Sequence, residues 1–124
     1  MPGKITITAG KVSLPATLND SPSARAVWAA LPIEARANRW GEEIYFEIDV
    51  QLDEASDARA EMQVGELAYW PPGSAFCIFF GPTPVSRGQA PRAASNVNPL
   101  GKVEGDATAF TAVRNGEKVR LEAA

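Results

Sequence analysis

Alternating apolar and polar residues predict strands along most of this chain. In residues 4–18, Ile5 and Ile7 alternate with threonines, and the alternation resumes at Val12 after a short Ala-Gly-Lys segment. A period of two is typical of half-buried strands, so these residues predict a hairpin with a tight turn. Pro15 indicates an edge position or a bulge in its second strand, because proline has no N–H to donate.

A helical spacing of apolar residues replaces this alternation over residues 22–31. Asp20 or Ser21 is suited to cap the first turn, Pro22 is tolerated within it, and Pro32 ends the element. The sequence therefore predicts one helix, packed against a sheet face or a barrel mouth. Residues 33–40 are expected to form a connection.

The strongest strand pattern begins at Trp40, with the apolar residues 44, 46, 48 and 50 on one face and the polar residues and tyrosine between them on the other. Residues 54–60 predict a loop or a short helical turn. Strands are predicted at 67–70, at 75–80 and at 100–104, and the last is followed by a short helical segment to 113 and a final strand at 118–122. Because residues 75–80 are apolar on both faces, that strand is expected in the centre of the sheet. Residues 81–99, rich in proline and turn formers, predict a long irregular loop.

Six or seven strands with one clear helix predict a mainly β fold, a closed barrel with one or two short helices. We expect a single domain over residues 1–124, since the length fits one core and no linker interrupts it.

Composition excludes several kinds of chemistry. The chain has no histidine and a single cysteine, so it can hold neither a Ser-His-Asp triad nor a Cys/His zinc site. It contains no phosphate-binding loop or dinucleotide fingerprint, and no cofactor is expected. With a net charge of −3 and scattered cationic residues, binding to nucleic acid or to an anionic membrane is not expected. No signal peptide is evident, so the expected location is cytoplasmic.

Several multi-residue motifs occur along the chain: WGEEIYF at 40–46, GELAYWPPG at 65–73, FFGPTP at 79–84, NV at 96–97 and GK at 101–102. Together these motifs resemble a family of small prokaryotic cyclophilin-like proteins. The resemblance extends over nearly the whole chain and implies a cyclophilin-type barrel, although it implies fold more than activity. Peptidyl-prolyl isomerases of this fold use an arginine beside an apolar pocket in a Phe-His-Arg context. That tripeptide is missing here, which leaves Arg39 or Arg92 as substitutes.

The adjacent carboxylates Glu42 and Glu43 are candidates for a functional site. In a regular strand Glu42 and Glu43 point to opposite faces, and parity places Glu42 on the apolar face, where it needs a partner such as Arg39. A bulge at Gly41 would exchange the two. Glu42 is thus interpreted either as an internal brace or as a ligand-facing acid with a raised pKa, and which glutamate faces a cleft stays open.

The remaining candidates are aromatic residues and polar loop residues. Tyr69 and Trp70 alternate faces, so one is expected in the core and the other at a groove; the same holds for Phe79 and Phe80. Cys77 is interpreted as a small buried hydrophobe, because no base or cation lies near it in the sequence. The residues predicted to bind a ligand are Glu42, Glu43, Tyr45, Tyr69, Trp70, Phe79, Phe80, Thr83, Arg92 and Asn96.

Three functions fit these residues. The first is binding of a peptide or a small organic molecule in an aromatic-lined groove. The second is prolyl isomerisation in the same groove. The third is a structural protein or homo-oligomer whose aromatic residues are buried between subunits.

Overall fold

One antiparallel sheet organises the computed structural model, which describes residues 3–124 and so leaves Met1 and Pro2 of the N-terminal segment outside the described residues. The strands are β1 (Lys4–Ala9), β2 (Val12–Leu18), β3 (Ile33–Arg36), β4 (Asn38–Arg39), β5 (Glu43–Glu47), β6 (Arg59–Glu61), β7 (Glu66–Trp70), β8 (Ala75–Phe79), β9 (Arg92–Val103) and β10 (Lys118–Ala123). The helix α1 spans Pro22–Ala30, and two short 3-10 helices span Pro71–Gly73 and Ala107–Ala112.

The strand order is β3-β10-β1-β2-β9-β7-β8-β5-β4, with β6 paired to β9 beside this path. The fold is therefore mainly β, as predicted. The sheet is not closed into a barrel, so the prediction of a closed barrel was wrong. Its two edges, β3 and β4, are successive pieces of chain separated by Ala37, and within residues 3–124 they pair only with β10 and β5. The two edge strands are therefore joined by the covalent chain at Ala37 and not by a ladder of hydrogen bonds.

Local patterns predicted several elements correctly. The β1–β2 hairpin pairs Lys4 with Thr17 through Ala9 with Val12. Helix α1 begins as expected, because the Ser21 hydroxyl accepts a hydrogen bond from the Ala24 N–H at 3.1 Å. β8 is fully buried and lies between β7 and β5, as its double-sided apolar sequence predicted.

Three predicted connections contain strands, although residues 54–58 and 81–91 are irregular as predicted. Residues 33–39 contain β3 and β4, residues 59–61 form β6, and the predicted loop at 81–99 becomes strand from Arg92 onward. The sequence of β9 shows no single strand pattern, because its two halves have different neighbours. Residues 92–97 pair with β6, whereas Asn98 and the residues after it pair with β7 and with β2. The register shifts between Leu67 and Ala68, so burial along β9 does not alternate.

The two faces of the β5–β8–β7 region build two separate apolar clusters. One face contributes residues such as Phe46, Phe76 and Tyr69 to the main core, which α1 and the second 3-10 helix also cover. The other face contributes to a smaller cluster made of Met62, Ala68, Cys77, Phe79, Ala93 and Val97. Because β6 and the first half of β9 lie over this second face, it is covered instead of open to solvent. We call this second group the outer cluster.

Asn98 connects three parts of the fold and is almost fully buried. Its Oδ1 accepts a hydrogen bond from the Ala55 N–H at 2.8 Å, and its Nδ2 donates to the Asp53 carbonyl at 3.0 Å and to the Ser23 hydroxyl at 3.1 Å. We expect Asn98→Ala to lower the free energy of unfolding by about 2 kcal/mol, since it leaves buried polar groups without partners. Urea denaturation measures this loss. Asn96→Ala, at an exposed position of the same strand, is the control, and an equal loss there would contradict the assignment.

None of the helices in residues 3–124 has the length and apolar character needed to cross a membrane.

Candidate functional site

A small pocket of about 220 Å³ opens above the outer cluster. We call it the aromatic pocket. Its lining is Trp40, Glu43, Tyr45, Trp70, Cys77, Ala93, Ala94 and Val97.

Strand alternation brings the floor of the pocket together. Tyr45 of β5 lies opposite Cys77 of β8, and Glu43 lies opposite Phe79. These four residues share one face, because residues two apart on a strand point the same way. The wall across from them comes from β9, where the small side chains of Ala93 and Ala94 leave space above the sheet.

A tight turn places Trp40 beside Glu43. The two residues exchange backbone hydrogen bonds, from the Trp40 N–H to the Glu43 carbonyl at 2.9 Å and in return at 3.2 Å. Gly41 lies inside this turn with φ +59°, and a Cβ there would meet Pro84 at 2.8 Å. Only glycine satisfies both requirements without strain, which explains the Trp-Gly-Glu-Glu sequence at this position.

A hydrogen bond and a close backbone contact hold Trp70. Its Nε1–H donates to the Ser95 hydroxyl of β9 at 2.7 Å. On its other side the 3-10 turn packs so closely that a Cβ on Gly73 would lie 2.7 Å from the indole ring. The Trp-Pro-Pro-Gly segment therefore fixes an aromatic wall of the pocket from both sides.

Glu43 is the most unusual group in the pocket. It is only 5% exposed, and its Oε1 atom is buried and accepts no hydrogen bond within residues 3–124. Burial raises the pKa of the Glu43 carboxyl from 4.5 to about 7, and a hydrogen bond between this carboxyl and the Cys77 thiol lowers it by a smaller amount. A carboxyl of this kind changes charge near neutral pH and has an acceptor atom free for a ligand.

Cys77 lies at the pocket floor and is buried, as the sequence predicted. Burial raises the pKa of its thiol well above the usual range, and the Glu43 carboxyl acts in the same direction. The thiol is therefore neutral near pH 7 and is a poor nucleophile. Sequence reasoning missed its acidic neighbour, because the two residues meet only through the pairing of β5 with β8.

Glu42 lies at the end of the main-core face that parity assigned to it, since its partner Arg39 packs over the Phe80 ring of that core. β5 begins at Glu43, so Glu42 belongs to the preceding turn, and its partly exposed carboxylate pairs with Arg39 at 3.1 Å. Arg39 was among the partners predicted for it, and the pair braces the turn. Of the two glutamates, Glu43 is the one that lines the pocket, together with Tyr45 and Trp70 from the predicted set.

The other predicted aromatic residues lie away from the pocket lining. Tyr69 is in the main core, where its hydroxyl donates to the Val50 carbonyl at 2.6 Å. Phe80 is in the same core and packs against Phe110, whereas Phe79 belongs to the outer cluster beneath the pocket. Each aromatic pair is split between two faces as expected, but only Trp70 lines the pocket, because Phe79 is fully buried.

The predicted polar residues of the loop also lie outside the lining. Thr83 is buried, and its hydroxyl donates to the Arg92 carbonyl at 2.5 Å. The Arg92 side chain pairs with Glu61 at 3.3 Å, and Asn96 is exposed. Thr83 and Arg92 therefore hold the start of β9 in place. The β9 residues that do line the pocket are small and apolar, so no motif in the sequence singled them out.

Neither arginine considered for isomerase chemistry lies in the pocket lining. Arg39 is occupied by structural contacts: Nε donates to the Gly41 carbonyl at 2.7 Å, Nη1 donates to the Val113 carbonyl at 2.9 Å, and the guanidinium lies 5.0 Å from the centre of the Phe80 ring. Arg92 is paired as described above. The pocket lining thus contains a carboxyl group and no guanidinium group.

Within residues 3–124, no group of three or more acidic, histidine or cysteine side chains is gathered as a metal site would require.

Comparison with known proteins identifies a family and several similar solved structures. A family model described as Cyclophilin-like matches residues 3–122. The solution structure of a hypothetical protein from Archaeoglobus fulgidus superimposes with a TM-score of 0.83 at 35% identity, covering 99% of this chain and 95% of that one. The comparison with curated proteins gives no match.

Proposed function

Since this chain belongs to the Cyclophilin-like family and a fold alone does not specify an activity, we propose from the residues of the aromatic pocket that it binds a small organic molecule there. In this proposal the ligand donates a hydrogen bond to Glu43 and packs its apolar part against Trp40, Tyr45 and Trp70. The single observation that carries the proposal is the buried Oε1 of Glu43, which has no hydrogen-bond partner among the residues from Gly3 onward.

An unsatisfied buried acceptor costs about 1–3 kcal/mol, and a ligand that donates to it recovers this cost on binding. The rest of the lining is aromatic or small and apolar, the usual composition of a binding pocket with one polar group to orient the ligand. Glu43 therefore orients the ligand through a hydrogen bond, and the aromatic residues provide the apolar contact area.

The size of the pocket limits the occupant. Sites for drug-sized ligands usually enclose about 300–1,000 Å³, and this pocket encloses about 220 Å³. Of the ligands considered from the sequence, a small molecule or a single side chain of a peptide fits this volume. An extended peptide would have to lie across the surface outside it.

We expect a library of small organic fragments to produce hits that shift the NMR signals of Trp40 and Trp70. Ala94→Phe should weaken these hits at least about tenfold, because it places a ring at an exposed edge of the pocket without replacing a buried residue. Ala109→Phe, at an exposed position outside the pocket lining, is the matched control. The proposal fails if no fragment perturbs the pocket, or if both variants weaken binding equally.

A further inference from the structure

The aromatic pocket combines a carboxyl group with aromatic rings and has no cation in its lining. Trp40, Tyr45 and Trp70 line it around Glu43, and the remaining lining residues are uncharged side chains. The faces of aromatic rings carry negative charge density and attract cations within about 6 Å of the ring centre. Ring faces and carboxylate therefore favour the same kind of ligand, one with a positive charge.

We propose that the ligand group is a methylated ammonium that retains at least one N–H, an inference that rests on the proposed function and specifies its ligand class. The N–H donates to Oε1 of Glu43, and the methyl groups contact the aromatic residues. A quaternary ammonium would satisfy the rings but would leave Oε1 without a donor, and an uncharged alcohol would satisfy Oε1 but not the rings.

The charges around the pocket agree with a cationic occupant. The arginines nearest in sequence, Arg39 and Arg92, are paired with Glu42 and Glu61 and do not line the pocket. The whole chain carries a net charge of −3. An anionic ligand would thus meet Glu43 without a compensating cation, which is costly in a largely buried site.

Protonation of Glu43 gives the binding a specific pH dependence. The titratable groups that line the pocket with it are Cys77 of β8 and Tyr45 of β5, and β9 contributes only apolar lining residues. Because burial holds the pKa of Glu43 at about 7, the ionised fraction rises from about one tenth at pH 6 to about nine tenths at pH 8. Affinity for a cation that keeps its charge should therefore rise about tenfold between these pH values.

Three probes of nearly equal size separate charge from hydrogen bonding. Trimethylammonium carries both a charge and an N–H, tetramethylammonium carries the charge alone, and tert-butanol is a neutral donor. We expect NMR titration at pH 8 to give the tightest binding for trimethylammonium, by at least about fivefold over each of the others. Glu43→Gln should remove both this preference and the pH dependence, whereas Glu42→Gln should keep both.

The ammonium group could belong to a free amine or to a methylated lysine side chain, so a dimethyl-lysine peptide is titrated beside trimethylammonium. Tighter binding of the peptide indicates a modified side chain, and tighter binding of the free cation indicates a small amine; both results support the ammonium site. Equal binding of tert-butanol or tetramethylammonium overturns the inference while leaving the pocket a binding site. If these probes and the fragment library all fail to perturb the pocket, the proposed function fails as well.

Discussion

Glu43→Gln is expected to stabilise the protein by about 3 kcal/mol at pH 8 and to change its stability little at pH 4. The reason is the pKa of Glu43, which burial raises from 4.5 in the unfolded chain to about 7 in the folded protein. A difference of this size corresponds to about 3 kcal/mol, since each unit is worth about 1.4 kcal/mol. Glutamine has nearly the same shape as the protonated carboxyl and removes its titration.

The direction of the pH dependence follows from which state binds the proton. Below pH 4.5 the carboxyl is protonated in both the folded and the unfolded state, so its ionisation does not lower the free energy of unfolding. Between pH 4.5 and 7 the unfolded chain releases its proton while the folded protein keeps it, so the free energy of unfolding falls as the pH rises. Above pH 7 both states are ionised, and the full cost of burying the charge remains.

Urea denaturation of wild type and variant at several pH values between 4 and 8 measures this effect. Glu42→Gln is the matched control, because it removes the adjacent carboxylate from a partly exposed ion pair with Arg39. A pH-dependent gain of equal size in that control would contradict the assignment to Glu43. A gain confined to Glu43→Gln, together with the loss of ligand binding, would show that the pocket keeps its carboxyl at the expense of stability.

Gly101→Ala is expected to lower the free energy of unfolding by at least about 3 kcal/mol, the range reached when a substitution forces a backbone clash. Gly101 lies in β9 opposite Leu18 of β2 and has φ +149°. A Cβ there would overlap the Thr17 carbonyl oxygen and approach the Leu18 Cα to 2.9 Å. Both obstacles are backbone atoms, so no side-chain rotation can relieve them.

Thermal and urea denaturation of the variant test this expectation. Gly88→Ala is the matched control, since an added Cβ at this exposed loop position has no atom within 4 Å. A loss below about 1 kcal/mol for Gly101→Ala, or an equal loss for Gly88→Ala, would contradict the role given to the close approach of β2 and β9.

The candidate site was only partly predictable. Alternation along β5 correctly grouped Glu43 with Tyr45, and alternation along β7 correctly separated Trp70 from Tyr69. Parity also separated Glu43 from Glu42, whose partner Arg39 packs over Phe80 of the main core, although β5 itself begins only at Glu43. Nothing in the sequence marked Ala93 and Ala94 as pocket residues, since a run of small residues that forms a pocket wall looks the same as one in an ordinary loop.

The sequence by itself determined the elements that depend on neighbouring residues. The β1–β2 hairpin, helix α1 with its Ser21 cap, and the buried strand β8 follow from periodicity and local capping, which act over a few residues. The tertiary structure alone decided that the sheet stays open between β3 and β4 and that β9 continues from the outer layer into the sheet. It also decided the chemistry of Glu43. Desolvation there is produced by β8 and by β9, which lies about fifty residues further along the chain, and no local pattern records which distant segment will exclude water from a carboxyl group.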